Sequence, residues 1–236
     1  MTTYKVLKGT NIQVKSDPTY PIDGEVWYDS TNNVLKGNKG TPVAAWETTN
    51  SMNTGRYGMG SAGVQTSALG FGGNGPSTQT AVTESWNGTN WTEVNDLNQA
   101  KHYVAGAGVS NTSALAFGGN ADGAPAKTDT ETWNGTNWTE VNNLNTGRNG
   151  LSGAGADNTS AVAFGGTPPD NLAITELWNG TNWTEVNDLN VGRTNSAGAG
   201  TNTLALAFGG SAPSVPGRTT SSEAFTGATT VTFTDS

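Results

Sequence analysis

The eleven residues ESWNGTNWTEV at 84–94 return as ETWNGTNWTEV at 131–141 and as ELWNGTNWTEV at 176–186, with a single letter changed each time. A second marker keeps the same beat: the triplet Phe-Gly-Gly begins at Phe71, Phe117, Phe164 and Phe208, at spacings of 46, 47 and 44. A chain that repeats at such a period builds one supersecondary unit several times and stacks the copies, because one unit cannot bury its apolar face alone. Four units follow, near 53–98, 99–144, 145–189 and 190–236, preceded by a segment 1–52. The second Trp of the phrase (Trp91, Trp138, Trp183) has a counterpart one period upstream at Trp46.

Each unit reads as four short strands. The innermost is SAGV (61–64), AGAGV (105–109), SGAGA (152–156) or SAGAG (196–200). Gly and Ala are poor strand formers, so close approach of several backbones around one axis is the reason to place them there. In the second strand, typified by SALAFGG, Leu115 and Phe117 point to one face and Ala114 and Ala116 to the other. A bulky face and a slim face let each sheet nest against the next around a ring. The third and fourth strands are the opening phrase: Asn-Gly tolerates the positive φ of a tight hairpin, and Trp86 with Trp91, Trp133 with Trp138, and Trp178 with Trp183 flank the turn and meet across it.

A basic residue, a small-residue strand, an apolar strand ending in Gly-Gly, a variable loop, a Glu-x-aromatic strand and a turn before Trp is the order of the kelch motif, so residues 53–236 resemble kelch-repeat β-propellers. The preceding cation falls in register as Arg56, Lys101, Arg148 and Arg193, and the third-strand aromatic is Trp86, Trp133, Trp178 and Phe225. The expected fold is all-β, a propeller of five blades with an atypical first blade in 1–52; the alternative is four blades plus an N-terminal arm. In 1–52, YKVLKG and NIQVK read as inner strands, and GEVWYDS around Trp27 and AAWETTN around Trp46 as outer ones. The last unit lacks the fourth-strand Trp, with Thr230 or Val231 in its place.

Composition narrows function. There is no Cys, which removes disulfides and thiolate metal sites, and the N-terminus has no apolar signal-like core or membrane-length apolar run. The net charge of -8 lies wholly in 53–236, where six basic residues face fourteen acidic ones, an unsuitable surface for a phosphate backbone. Nucleic acid and membrane insertion are therefore not expected. Some kelch propellers are copper oxidases, which need several His and a Cys joined to Tyr; one His and no Cys rule that chemistry out. His102 alone makes neither a triad nor a metal site, and no cofactor is expected. Glu84, Glu131, Glu176 and Glu223, with Glu93, Glu140 and Glu185, come one per blade and read as strand-surface hydrogen-bonding groups. DSTNN at 29–33 reads as a turn rather than a calcium loop, and the Asn-x-Thr triplets at Asn87, Asn90, Asn134, Asn137, Asn179 and Asn182 as turn chemistry.

The repeats differ most between second and third strands: NGPSTQTAV, NADGAPAKTD, TPPDNLAI and SAPSVPGRTTS share neither length nor composition. In an up-and-down blade these loops leave from the same face as the blade-to-blade connections. Arg56, Lys101, His102, Arg148 and Arg193 in the connections, with Lys127 and Arg218 in the loops, make that face the candidate ligand-contact surface. The competing reading makes the four cations in register inter-blade hydrogen-bond donors.

The segment DPTYPIDGEVWYDSTNNVLKG (17–37) is similar to short segments near the N-termini of tail-fibre and other virion proteins. With the repeats behind it, the chain resembles kelch-like structural proteins of marine phages, cyanophages in particular. That resemblance implies a non-enzymatic virion component, assembled in the host cytoplasm without a signal peptide. Its partners would be other virion proteins or a host-surface glycan or protein, and its N-terminal segment would dock to the particle or form homo-oligomers. The alternative is a free lectin-like module whose hairpin Trp residues stack on sugars.

Overall fold

The computed structural model describes residues 13–15, 26–37, 46–121, 124–168, 170–213 and 218–227. The chain forms two compact units, 1–48 and 49–236. All regular elements among the described residues are strands, eighteen in number.

In the first unit, β1 (Gln13–Lys15) pairs parallel with β2 (Val26–Asp29), which pairs antiparallel with β3 (Val34–Gly37). The turn after β2 is held by Asp29, whose Oδ1 accepts from the Thr31 and Asn32 amides at 2.9 and 3.3 Å while Oδ2 meets Lys36 Nζ at 2.8 Å. The carboxylate is committed to its own turn, as expected of DSTNN. The expected fifth blade is not found among the described residues: a blade is an antiparallel meander, whereas β1 and β2 run parallel, and Trp46 lies outside any strand with its side chain fully exposed. YKVLKG lies outside the described residues, as do Thr230 and Val231.

The second unit is a four-blade β-propeller arrangement. Its sheets are β4–β7 (Gly60–Val64, Ser67–Phe71, Thr83–Trp86, Trp91–Val94), β8–β11 (Ala105–Ser110, Ser113–Phe117, Thr130–Trp133, Trp138–Val141), β12–β15 (Ser152–Asp157, Ser160–Phe164, Thr175–Trp178, Trp183–Val186) and β16–β18 (Ala197–Gly200, Leu204–Phe208, Ser222–Thr226). Every sheet is an antiparallel meander in chain order, so β4, β8, β12 and β16 are the inner strands. They line a common channel of about 420 Å³, walled by Gly and Ala of all four sheets.

The nesting expected of the second strands is present. Leu69 and Phe71 of β5 are wholly buried in one cluster with Ala114 and Ala116 of β9, and Leu115 and Phe117 of β9 share another with Ala161 and Ala163 of β13. Val162 and Phe164 meet Ala205 and Ala207 in the same way. Each such Leu or Phe contributes about 1.5–3 kcal/mol when withdrawn from water. Glycine on the inner strands makes room for it: a Cβ on Gly153 would lie 2.9 Å from the Gly106 carbonyl oxygen and closer still to Phe117 Cζ. The fourth sheet ends the series, and its bulky face is open, with Leu204, Leu206 and Phe208 exposed by 66%, 42% and 40%.

Candidate functional site

The connecting segments return from each outer strand to the next inner strand, and each sends one cation inward. Arg56 Nη2 lies 3.2 Å from Glu84 Oε1, Lys101 Nζ 2.9 Å from Glu131 Oε1, and Arg148 Nη2 2.9 Å from Glu176 Oε1; Arg193 pairs with Glu223. All four cationic side chains are wholly buried. The other carboxylate oxygen is taken by the Asn three residues before the cation, through its amide N–H and its Nδ2: Asn53, Asn98, Asn145 and Asn190, at 2.6–2.9 Å. Arg148 also donates to the Gly165 and Ile174 carbonyls, and Arg193 to those of Gly209 and Ser221. Burial lowers the pKa values of Arg56 and Arg148, opposed by Glu84 and Glu176, yet an arginine stays charged across the accessible pH range. Burial alone would raise Glu223, but donors from Asn190 and Arg193 outweigh it and hold the group below its ordinary value.

Two expectations are corrected here. Arg56, Lys101, Arg148 and Arg193 do not present charge to a ligand; they stitch a connection to the third strand it passes. Glu84, Glu131 and Glu176 are core groups rather than strand-surface ones. The signal was available in the sequence as a constant Asn-x-x-cation followed 28–30 residues later by Glu.

The hairpin Trp residues meet in pairs, with ring centroids 5.5, 5.3 and 5.4 Å apart for Trp86–Trp91, Trp133–Trp138 and Trp178–Trp183. Trp86, Trp133 and Trp178 donate Nε1–H to the Gln65, Asn111 and Asn158 carbonyls. Trp138 and Trp183 reach the preceding sheet. All of these except the half-buried Trp91 are buried, so they offer no open stacking faces to a sugar. The turns are Asx-closed as expected, Asn87, Asn134 and Asn179 Oδ1 each accepting two backbone amides.

The variable loops and the connections do share a face. Tyr57 bridges to Asn74, His102 to Asn120, Asn149 to Thr167 and Thr194 to Ser211, pairing each connection with the second-to-third loop of its own sheet. His102 is buried there, its ring 4.8 Å from that of Tyr103. Lys127 is half-buried, with its amide bonded to the Gly119 carbonyl. Arg218 is exposed and lines a surface hollow with Asn195, Ser211 and Thr219, the only one of the seven candidates that is exposed.

At the centre of this face, four equivalent residues enter the inner strands: Gly58, Tyr103, Gly150 and Asn195, with φ of 63°, 52°, 58° and 52°. Their backbones are linked in series, the Tyr103 amide donating to Gly58 O, Gly150 to Tyr103 O and Asn195 to Gly150 O. They surround a hollow of about 160 Å³. Two positions use glycine, which suits this left-handed backbone; the other two carry Tyr and Asn. A bulky residue held there costs about 1–3 kcal/mol, and such strain concentrates at functional positions. The Tyr103 ring lies over Gly58 and is 40% exposed. Sequence reading passed over Tyr103 and Asn195 because nothing in the residue types marks a left-handed tyrosine. Among the described residues no group of three or more His, Asp or Glu is gathered for a metal.

The arrangement of the second unit defines the chain as a β-propeller protein. Among solved structures it is similar to that of YjhT, with a TM-score of 0.61 and 12% identity over 84% of this chain and 70% of that one; at this identity the likeness concerns the fold. No family model matches the sequence, and no curated protein matches it.

Proposed function

We propose that this chain is a non-enzymatic structural and adhesion component of a bacteriophage virion, kelch-like and tail-fibre in type, whose loop face contacts a host surface or a neighbouring virion protein. The observation that carries the reading is the division between its two faces. The hairpin side repeats one turn and locks it to the next sheet by side-chain amides, as when Asn95 Nδ2 donates to Asn137 Oδ1 at 2.7 Å. The other side varies its loops around a hollow rimmed by Tyr103 and Asn195. A surface uniform on one side and diversified on the other suits a part that is built the same way each time and selected for what its loops touch. The resemblance of 17–37 and of the repeats to marine phage proteins supplies the virion, assembled in the host cytoplasm, with the N-terminal segment as its docking or oligomerising part.

The test is direct. Mass spectrometry of purified virions finds the chain as a stoichiometric component, and purified protein binds host cells in a way that Tyr103→Ala with Arg218→Ala weakens. Absence from virions refutes the proposal. A free carbohydrate-binding propeller is the second reading, favoured by the exposed Tyr103, which lines the same hollow as Asn195. A glycan array answered by none of its sugars removes it.

A further inference from the structure

Two of the four equivalent residues that precede the inner strands carry side chains where glycine would serve. Gly58 and Gly150 take the left-handed backbone without cost, whereas Tyr103 and Asn195 each hold it at φ of 52°. Asparagine tolerates this region, but for a residue as bulky as tyrosine it is a true outlier. The neighbouring glycines make room for both side chains. A Cβ on Gly58 would lie 3.3 Å from Tyr103 Cδ1, and one on Gly150 would lie 2.9 Å from Asn195 Oδ1. A strained residue kept at a position that glycine fills in the first and third sheets points to a task other than folding.

The hollow of about 160 Å³ that these residues surround is also lined by Met59, Val104, Leu151 and Ser196, so none of its lining residues is charged. Val104 and Leu151 are buried and form its apolar part. Tyr103 adds an aromatic ring, and the exposed Asn195 adds an amide that can both donate and accept. Such a lining suits a neutral ligand with one apolar side and a few polar groups. The volume is below the ~300 Å³ at which pockets begin to take drug-sized molecules, and fits about one sugar ring. An extended peptide is a poor occupant, because the Tyr103, Gly150 and Asn195 amides already donate to the Gly58, Tyr103 and Gly150 carbonyls and present no strand edge.

We propose that this hollow binds one neutral hexose bearing a methyl group, at the end of a glycan chain, an inference that rests on the reading of the loop face as the contact surface. The apolar face of the sugar stacks on the Tyr103 ring. Its methyl group enters among Met59, Val104 and Leu151, and its polar groups exchange hydrogen bonds with the Asn195 amide. An acetamido group and a 6-deoxy carbon both supply such a methyl.

Saturation-transfer NMR titrations of the full chain with N-acetylglucosamine, fucose and glucose test this. Binding of N-acetylglucosamine or of fucose is expected, with the strongest saturation at the methyl protons, and the one that binds identifies the source of the methyl. Glucose, which has none, is expected to bind about tenfold more weakly or less, as for one carbon lost from an apolar pocket. Tyr103→Gly copies the first and third sheets and so leaves Tm within a few degrees, while the affinity falls about tenfold or more. Tyr103→Phe keeps the ring and retains binding, and Asn195→Gly weakens it several-fold. No binding of any of the three sugars, equal binding of glucose, or affinity unchanged in Tyr103→Gly overturns the proposal. So does a Tyr103→Gly chain that no longer folds, which would assign the ring to packing. Incorporation into virions is scored separately, so a hollow without sugar affinity in a chain found in virions overturns this inference and leaves the virion reading standing.

Discussion

Replacing Gly153 by Ala tests the idea that glycine on the inner strands exists to let neighbouring sheets approach. The added methyl would stand 2.9 Å from the Gly106 carbonyl oxygen and nearer still to the Phe117 ring, where ordinary contact needs 3.4 Å or more. Neither neighbour yields easily, because one is the backbone of the adjoining inner strand and the other is a wholly buried side chain. Overpacking of this kind costs about 1–3 kcal/mol, and the stiffer unfolded chain returns about 0.4–1 kcal/mol. At the midpoints of these ranges the expected net loss is about 1.3 kcal/mol, or about 3–5 °C in Tm for a unit of this size. Urea denaturation followed by tryptophan fluorescence measures it, with Gly55→Ala as control, since a methyl at Gly55 meets nothing within 4 Å. Phe117→Leu opens space at the ring, so the double variant should lose less than the sum of the two single ones. A Gly153→Ala protein as stable as Gly55→Ala would refute the close-approach argument.

Breaking a buried ion pair from one side leaves an uncompensated charge, so Arg148→Met should cost about 3–5 kcal/mol, and the double change Arg148→Met with Glu176→Leu clearly less, both read by urea titration. Leu115→Ala should cost about 2–5 kcal/mol in the same assay, whereas Leu206→Ala, at the equivalent place on the open face, should cost far less. Acrylamide should quench only a minor part of the tryptophan emission, because of eight Trp residues only Trp46 is exposed and Trp91 half-buried, the other six being buried. The folded-state pKa of Glu223 lies below its usual 4.5, so its bonds with Asn190 and Arg193 stabilise fully above that value and are lost as pH falls through and below it. Glu223→Gln should therefore flatten the acid limb of a stability-versus-pH curve while leaving its alkaline limb unchanged.

How much of this was legible depended on repetition. The inner, second and hairpin strands could be placed to within a residue or two because four copies had to satisfy one pattern, and the alternation of Leu115 and Phe117 with Ala114 and Ala116 named both sides of each junction. Where the pattern occurs once, less was legible: NIQVK was expected as an inner strand of an atypical blade, and β1 runs parallel to β2, which is not the pairing of a blade meander. The cations in register were visible, but their burial was not, since partners 28–30 residues away become neighbours only when the connection folds back over the third strand. Tyr103 was hidden for a different reason. Its left-handed backbone is imposed by the chain of amide bonds from Gly58 to Asn195, and that constraint has no signature in a single residue type.

The stitch from Asn and cation to the third-strand Glu lies inside one repeat's reach, while Trp138 and Trp183 hold across to the repeat before. A duplicated stretch of the gene therefore carries both its own internal fastening and the hook for its predecessor. Such a chain can lengthen or shorten by whole copies without inventing a new joint, and natural variants should differ in multiples of about one period, with the sequence drift confined to the loops that no fastening touches.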